Sequence, residues 1–353
     1  MSKMSKNLRA RDAGLACGKL PSGPNNAITD VPGVSVGHVT LNEGELRTGV
    51  TAILPHGGNL YREKPVAAVH VLNGFGKSAG LVQVEELGAI ETPLLLTNTL
   101  SVGTCATALV RHAIEHNPDI GRETATVNPV VFECNDGFLN DIQALAVTEQ
   151  HARSALEAAR TDFAVGAVGA GCGMSTFGFK GGIGTASRVI EFDGKAFHFG
   201  VLVLSNFGRP GDLRLPDGTV VTPAMAEPAA TEKGSIIIVA ATDIPLSDRQ
   251  LRRVIRRSGV GLARLGSFWG HGSGDIALGF TTANIVHHDE RAALVSQRLL
   301  NEDRIDLLFE AMADTTQEAV LDALVAAGPM TGRSGHHRPG LADALKNLSS
   351  TKA

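Results

Sequence analysis

The chain predicts an α+β layered fold, and three features carry that expectation. Strand-like β-branched runs and helical stretches arrive in mixed order, where a doubly wound parallel sheet would alternate them strictly. Asp193-Gly194 separates the apolar stretches 188–192 and 196–204, a strong signal for a tight antiparallel hairpin. The chain has 353 residues, 41 of them glycine, so it can bury a large core with tight turns and close backbone approach.

Taken in order, residues 1–28 form a loosely structured lead-in, and the runs at 34–40, 50–54 and 67–72 read as strands. Residues 80–87 are short and amphipathic. Residues 102–116 predict a helix, because Cys105, Ala106, Leu109, Val110 and Ala113 share one face. A buried strand over 129–133 and an Ala-rich helix over 148–160 lead to the hairpin. Residues 207–234 then hold Pro210, Pro216, Pro223 and Pro228 without periodicity, a loop long enough to be functional or disordered. A strand over 235–241 leaves this loop, and Ser247 or Asp248 caps a helix reaching residue 265. A strand over 275–282 precedes a helix over 303–327, whose stripe is Ile305, Leu308, Phe309, Met312, Val320 and Leu324. Gly328-Pro329 ends it. No internal repeat or low-complexity tract appears.

A net charge of -4 without charge blocks argues against a general polyanion binder, so no nucleic-acid partner is expected. Cys17, Cys105, Cys134 and Cys172 lack Cys-x-x-Cys spacing and read as buried, reduced thiols. The N-terminus has basic residues but no apolar core of a signal peptide, and no apolar run approaches the ~18 residues of a membrane span. A cytoplasmic protein is therefore expected. Asn-Gly-Phe-Gly-Lys-Ser at 73–78 fails as a phosphate loop, because Val71 stands where the first glycine belongs. Gly-Ala-Val-Gly-Ala-Gly-Cys-Gly at 166–173 fails as a dinucleotide fingerprint, because Gly178, Gly181, Gly182 and Gly184 follow where a helix must. It reads instead as a wall where backbone meets backbone or ligand. His112 and His116 share a helix face, but Ala113 replaces the glutamate of a zinc-protease motif. His287-His288 and His336-His337 fall in polar loops. Arg249, Arg252, Arg253, Arg256 and Arg257 suit a surface or subunit contact, with no interleaved aromatics for nucleic acid.

Ser235 stands where flexible loop meets rigid strand. Gly234 there either terminates the loop or precedes a cut that makes Ser235 a new N-terminus. Such a cut needs a hydroxyl or thiol, a small residue before it and a strand behind it. The hydroxyl attacks the Gly234 carbonyl, an ester forms by N-to-O acyl shift, and water hydrolyses it. Glycine tolerates strained dihedrals and puts no side chain in the path. The freed α-amine, with a reference pKa of about 7.7–8.0, can act as base near neutrality.

The chain resembles the peptidase family that contains L-aminopeptidase/D-esterase and the β-peptidyl aminopeptidases, from about residue 26 to the C-terminal region. The resemblance rests on Ile-Thr-Asp-Val-Pro-Gly-Val-Ser-Val-Gly-His at 28–38, the stretch 88–104 around Leu-Leu-Leu-Thr-Asn-Thr, and Glu-Cys-Asn-Asp-Gly at 133–137. Further matches are Gly-Ala-Gly-Cys-Gly-Met at 169–174, the glycine-rich run 178–187, Ser-Asn-Phe-Gly at 205–208, Gly-Ser-Ile-Ile-Ile at 234–238 and Gly-Ser-Gly-Asp at 272–275. It implies one domain with a four-layer αββα fold, as in ornithine acetyltransferase-like proteins. It also implies self-cleavage between Gly234 and Ser235 into chains 1–234 and 235–353, and homotetramers of that cleaved pair.

Residue by residue, the resemblance makes Ser235 the nucleophile of both cleavage and turnover, and Asn206 an oxyanion donor. Ser273 would hydrogen-bond the nucleophile or its amine. Asp275, where relatives often have Glu, would orient Ser273 and stabilise the protonated amine with one methylene less reach. Glu133 would bind the substrate's amino group. Phe138 lies in the substrate-binding stretch where some members carry a tyrosine, and the only tyrosine of the chain, Tyr61, is distant in sequence. Thr97, Asn98 and Thr99 shape the cleft without an assigned role. The expected activity is release of N-terminal residues from short peptides, amides or esters through a Ser235 acyl-enzyme, without metal or organic cofactor. Two rivals are an acyltransferase, whose relatives usually use threonine as nucleophile, and a non-catalytic binding protein.

Overall fold

A computed structural model describes residues 8–223 and 233–351. Residues 1–7 and the stretch 224–232, with Pro228 of the Pro-rich loop, lie outside the described residues. The elements in order are β1 (Ser35–Leu41), β2 (Thr48–Leu54), β3 (Glu63–Gly74), α1 (Leu81–Leu87), β4 (Leu94–Asn98), α2 (Val102–His116), β5 (Val130–Cys134) and α3 (Glu149–Glu157). There follow the short β6 (Ser175–Thr176) and β7 (Phe179–Lys180), then β8 (Gly182–Phe192), β9 (Lys195–Asn206), β10 (Lys233–Thr242), α4 (Asp248–Ile255) and α5 (Ser258–Arg264). The last part holds β11 (Gly272–His287), α6 (Asp306–Ala326), the short β12 (Met330–Thr331) and β13 (His337–Arg338), and α7 (Leu341–Thr351).

The chain is mixed α+β, with two large sheets ordered β1-β2-β4-β5 and β3-β11-β10-β9-β8. Only β4–β5 and β10–β11 pair in parallel within them. Strand alternation divides the core. Ile237, Val239, Ile276 and Leu278 meet Leu94, Leu96 and Phe132 between the sheets. Ile236, Ile238 and Ala277 face the other way, onto Leu251, Leu262 and Leu308 of α4–α6. Val50, Leu95 and Val131 pack on Leu109 and Leu156 of α2 and α3.

The hairpin forms as expected, with Asp193 and Gly194 at φ 50° and 73°, both left-handed as a tight two-residue turn requires. The glycine wall is a backbone contact: a Cβ on Gly182 would lie 2.1 Å from the Gly166 carbonyl oxygen. All four cysteines are buried and free. The predicted helix to residue 265 is instead two helices, α4 and α5. The chain turns at Arg256-Arg257 so that Gly261 can approach α6, where a Cβ would meet the Ala313 carbonyl oxygen at 2.5 Å. Much of the arginine cluster is satisfied internally: Arg249 and Arg253 pair with Glu302, and Arg257 lies 3.7 Å over the Phe309 ring.

Two expectations fail for one reason, burial by distant parts of the chain. The striped α6 is enclosed nearly all round, with Asp314, Glu318 and Asp322 buried. The lead-in is not loose over residues 8–28, because Arg9 and Arg11 reach Asp322 and Glu318 at 2.7 and 2.6 Å. Strand β4 and helix α7 were not expected at all. Among the described residues no helix is long and apolar enough to cross a membrane.

Candidate active site

Strand β10 places Ser235 mid-sheet, antiparallel to β9 and parallel to β11. The register sets Ser235 opposite Asn206 on one side and Gly274 on the other. The β-branched run 236–239 behind it is buried, so the start of the strand is rigidly held. The Ser235 hydroxyl donates to the Gly234 carbonyl oxygen at 2.8 Å, and the Gly274 N–H donates to Ser235 Oγ at 3.2 Å. A Cβ on Gly234 would lie 2.1 Å from the Asn206 carbonyl oxygen, so glycine alone fits ahead of this serine.

Asn206 is buried with its amide orientation set by two backbone groups. Its Oδ1 accepts the Ser175 N–H at 2.8 Å, and its Nδ2 donates to the Asn135 carbonyl at 2.9 Å. An amide nitrogen has two hydrogens, so one donor remains for the cleft.

Ser273 and Asp275 are both buried, and the Ser273 hydroxyl donates to Asp275 Oδ1 at 2.6 Å. The shorter aspartate therefore does reach its serine. Strand alternation puts this pair on the α4–α6 side of the sheet, whereas the Ser235 side chain faces the space between the sheets. Ser273 is the register partner of Gly234. It thus adjoins Gly234 rather than the Ser235 hydroxyl. Asn73, opposite Asp275, anchors the segment by donating from Nδ2 to the carbonyls of Gly270 (3.0 Å) and Ser273.

Glu133 near the end of β5 is 2% exposed. Its Oε1 accepts the Lys77 N–H at 2.7 Å and its Oε2 accepts the Thr99 hydroxyl. No lysine or arginine side chain pairs with it among the described residues. Gly76 lies between this carboxylate and the nucleophile's neighbour: a Cβ there would stand 3.6 Å from Glu133 Oε1 and 3.8 Å from Gly274 Cα. Close by, Asp136 is pushed up to about 7 by burial, against hydrogen bonds from Thr48 and Asn140.

Phe138 is partly exposed, stacked on the His336 ring at 4.7 Å and capped by the Arg338 guanidinium 3.5 Å from its centroid. His336 is therefore not merely solvated. Tyr61 does not replace the missing hydroxyl: it precedes β3, at the opposite end from Asn73, and its hydroxyl donates to the Ala125 carbonyl at 2.8 Å. A cavity of about 390 Å³ lies at that far end, lined by His56, Tyr61, His112 and Asn117, and contains none of the groups around Ser235. Chemistry, not volume, places the site.

Sequence patterns missed Asn73, Ser175 and Arg338, and left Thr99 without a role. Each acts through a partner far along the chain; only the Thr99 motif carried a visible signal.

A serine at a strand start, behind an obligate glycine and beside a fixed amide donor, defines an N-terminal-nucleophile type of hydrolase site. Comparison with known proteins agrees. The profile of Peptidase family S58 matches residues 26–338. Beta-peptidyl aminopeptidase BapA of Sphingosinicella microcystinivorans is 41% identical over 354 residues, spanning 93% of this chain and 88% of that protein. The solved PH0078 protein of Pyrococcus horikoshii OT3 is 46% identical with a TM-score of 0.91, over 98% of this chain and 99% of that one. The L-aminopeptidase D-Ala-esterase/amidase of Ochrobactrum anthropi, a prototype for the serine aminopeptidases and a variant of the Ntn hydrolase fold, is 37% identical with a TM-score of 0.86. That likeness covers 97% of this chain and 99% of the other. The chain belongs to Peptidase family S58. It is a hydrolase, an aminopeptidase or amidase of the N-terminal-nucleophile type.

Proposed function

We propose that the chain matures by cutting itself between Gly234 and Ser235, and that Ser235 then releases N-terminal residues from short peptides, amides or esters. The single observation carrying this is the Ser235 hydroxyl held 2.8 Å from the Gly234 carbonyl oxygen, on a strand whose register brings Asn206 alongside. Oγ adds to the Gly234 carbonyl carbon, the C–N bond breaks, and the nitrogen takes the proton. Water hydrolyses the resulting ester, leaving a carboxylate on Gly234 and a free hydroxyl and amine on Ser235. With Gly234 gone, Ser273 is the nearest cross-strand neighbour of that amine, and Asp275 steadies both.

In turnover the amine takes the Ser235 proton as Oγ attacks the substrate carbonyl. The free Nδ2 hydrogen of Asn206 stabilises the oxyanion, and the amine returns the proton to the leaving group. Water then hydrolyses the Ser235 ester, with the amine as base, to release the N-terminal residue and restore the hydroxyl. Glu133 pairs with the substrate's ammonium group. A buried carboxylate held only by neutral donors keeps room for a cation, and this makes the site exopeptidase-like. The names of the relatives support testing both α- and β-amino acids at the N-terminal position. No metal or organic cofactor enters these steps.

The same reading takes the whole chain as one four-layer αββα domain, like ornithine acetyltransferase-like proteins. In it the cleaved pair 1–234 and 235–353 stays together and assembles as a cytoplasmic homotetramer. Acyl transfer to an amine is not favoured, since the relatives are aminopeptidases.

The test is a denaturing gel with intact-mass analysis of wild type beside Ser235→Ala. Two fragments from wild type, with masses that place the cut before Ser235, and one intact chain from the variant, are expected. Intact chains from both would sink the maturation step. Fragments without hydrolysis of any small aminoacyl amide would sink the aminopeptidase role.

A further inference from the structure

Arg338 stands at the cleft with unspent binding capacity. Its Nε donates to Ser175 Oγ at 3.2 Å, and its guanidinium carbon lies 3.5 Å from the centre of the Phe138 ring. The two terminal nitrogens have no hydrogen bond and no carboxylate among the described residues. The backbone N–H of the same Ser175 holds Asn206, the residue opposite Ser235. Arg338 therefore flanks the nucleophile on the β9 side. Glu133 flanks it on the other side, next to Gly274 of β11. An unpaired anion and an unpaired cation bracket one serine.

The two charges lie on neighbouring segments. Phe138, which carries Arg338, follows Glu133 by five residues, and the Asn135 carbonyl between them accepts the Asn206 amide opposite Ser235. Extended peptide covers about 3.3–3.6 Å per residue, so a short peptide whose scissile carbonyl sits at Ser235 can touch both. We propose that Arg338 is a specificity-determining residue that binds the C-terminal carboxylate of a di- or tripeptide whose amine sits at Glu133. This deepens the aminopeptidase reading above and rests on it. The planar fork of arginine matches a carboxylate bidentately, and stacking on Phe138 orders it before substrate arrives. Desolvation lowers the Arg338 pKa from its usual value, the direction expected for a partly buried cation without a counter-ion.

The experiment compares hydrolysis of L-Ala-L-Ala and β-alanyl-L-alanine with that of their C-terminal amides, using full-length, matured protein. Wild type should favour the free acid over the amide by about ten- to a hundredfold in kcat/KM, mostly through KM, as a charge-assisted hydrogen bond implies. Arg338→Gln should bring that ratio close to one, with the loss in kcat/KM falling far more on the acids than on the amides. Arg338→Lys should retain part of the preference, which also covers failure of the glutamine variant to fold. Equal use of acids and amides by wild type, or a ratio unchanged in the variants, overturns the assignment and leaves the aminopeptidase reading intact. A parallel fall on acids and amides marks Arg338 as a wedge under Phe138 and overturns it too. Matured protein that hydrolyses none of the four substrates overturns both readings.

Discussion

Buried carboxylates in two regions of this molecule are held by different kinds of partner. Around α6, Glu318 meets Arg11 at 2.6 Å and the fully buried Arg188 at 2.8 Å, Asp322 meets Arg9, and Asp314 meets Arg264. Burial alone would raise the Glu318 pKa, but Arg11 and Arg188, together with the Cys17 N–H and the Asn26 amide, outweigh it and hold the group low. Beside the nucleophile, Glu133 is held by a backbone N–H and a threonine hydroxyl, without an arginine or lysine among the described residues. The first cluster is a fastener whose charges are matched within the chain. The second, in the function proposed above, keeps one charge for the substrate's ammonium group. The contrast separates structure from function better than burial does, since both regions are equally buried.

The largest effect expected is at the nucleophile. Ser235→Ala should leave the fold and the α6 cluster intact but abolish processing, with hydrolysis falling on the order of 10⁶-fold. Unchanged thermal unfolding beside lost activity would confirm that the two regions are separable. Next, Arg188→Met leaves Glu318 with Arg11 as its one cation, beside the Cys17 N–H and the Asn26 amide, and should destabilise by about 3–5 kcal/mol in urea unfolding. The double variant Arg188→Met/Glu318→Leu should recover most of this. A loss confined to activity would break the contrast.

Asn206→Ala should lower kcat about 10²–10³-fold, or about 3–4 kcal/mol, with KM little changed. An effect on KM alone would remove Asn206 from the oxyanion role. Glu133→Gln should instead raise KM about tenfold or more for substrates with a free amine, with stability nearly unchanged, as loss of one charged contact implies. A large stability loss there would make Glu133 a fastener after all.

The smallest effect concerns a third kind of buried group, one kept neutral. Burial holds the His38 ring down to about 4 from its ordinary 6.5, with hydrogen bonds to Thr51 Oγ1 and the Ala164 carbonyl. The folded pKa is the lower one, so between pH 6.5 and 4 the unfolded chain binds more protons. Stability is full above that window and falls as pH drops through it. The bound is about 3 kcal/mol, and partial exposure of the ring reduces it to about 1–2. Thermal unfolding of His38→Gln against pH should show a flatter profile than wild type over that range.

Much of the scaffold was legible locally. The helix Val102–His116 has the bounds its apolar face predicts, and Asp193-Gly194 turns as its residue types demand. Gly234-Ser235 stood out as a junction because a long proline-rich segment meets a β-branched run there. The Leu-Leu-Leu-Thr-Asn run of β4 belongs to a recognised motif yet escaped notice as a strand, since short apolar runs do not distinguish strand from buried helix.

The chain order of residues therefore determined the turn types, most strand and helix positions, and the glycine-serine step on which the proposed chemistry depends. Such features depend on neighbours only a few residues away. Which residue faces Ser235, which side of the sheet Ser273 and Asp275 occupy, and why α6 tolerates three buried acids were decided by tertiary structure alone. These contacts join positions far apart, 130 residues for Arg188 and Glu318 and 163 for Arg338 and Ser175. No local periodicity encodes such a pairing. It follows from strand register and layer packing, which the folded chain sets as a whole.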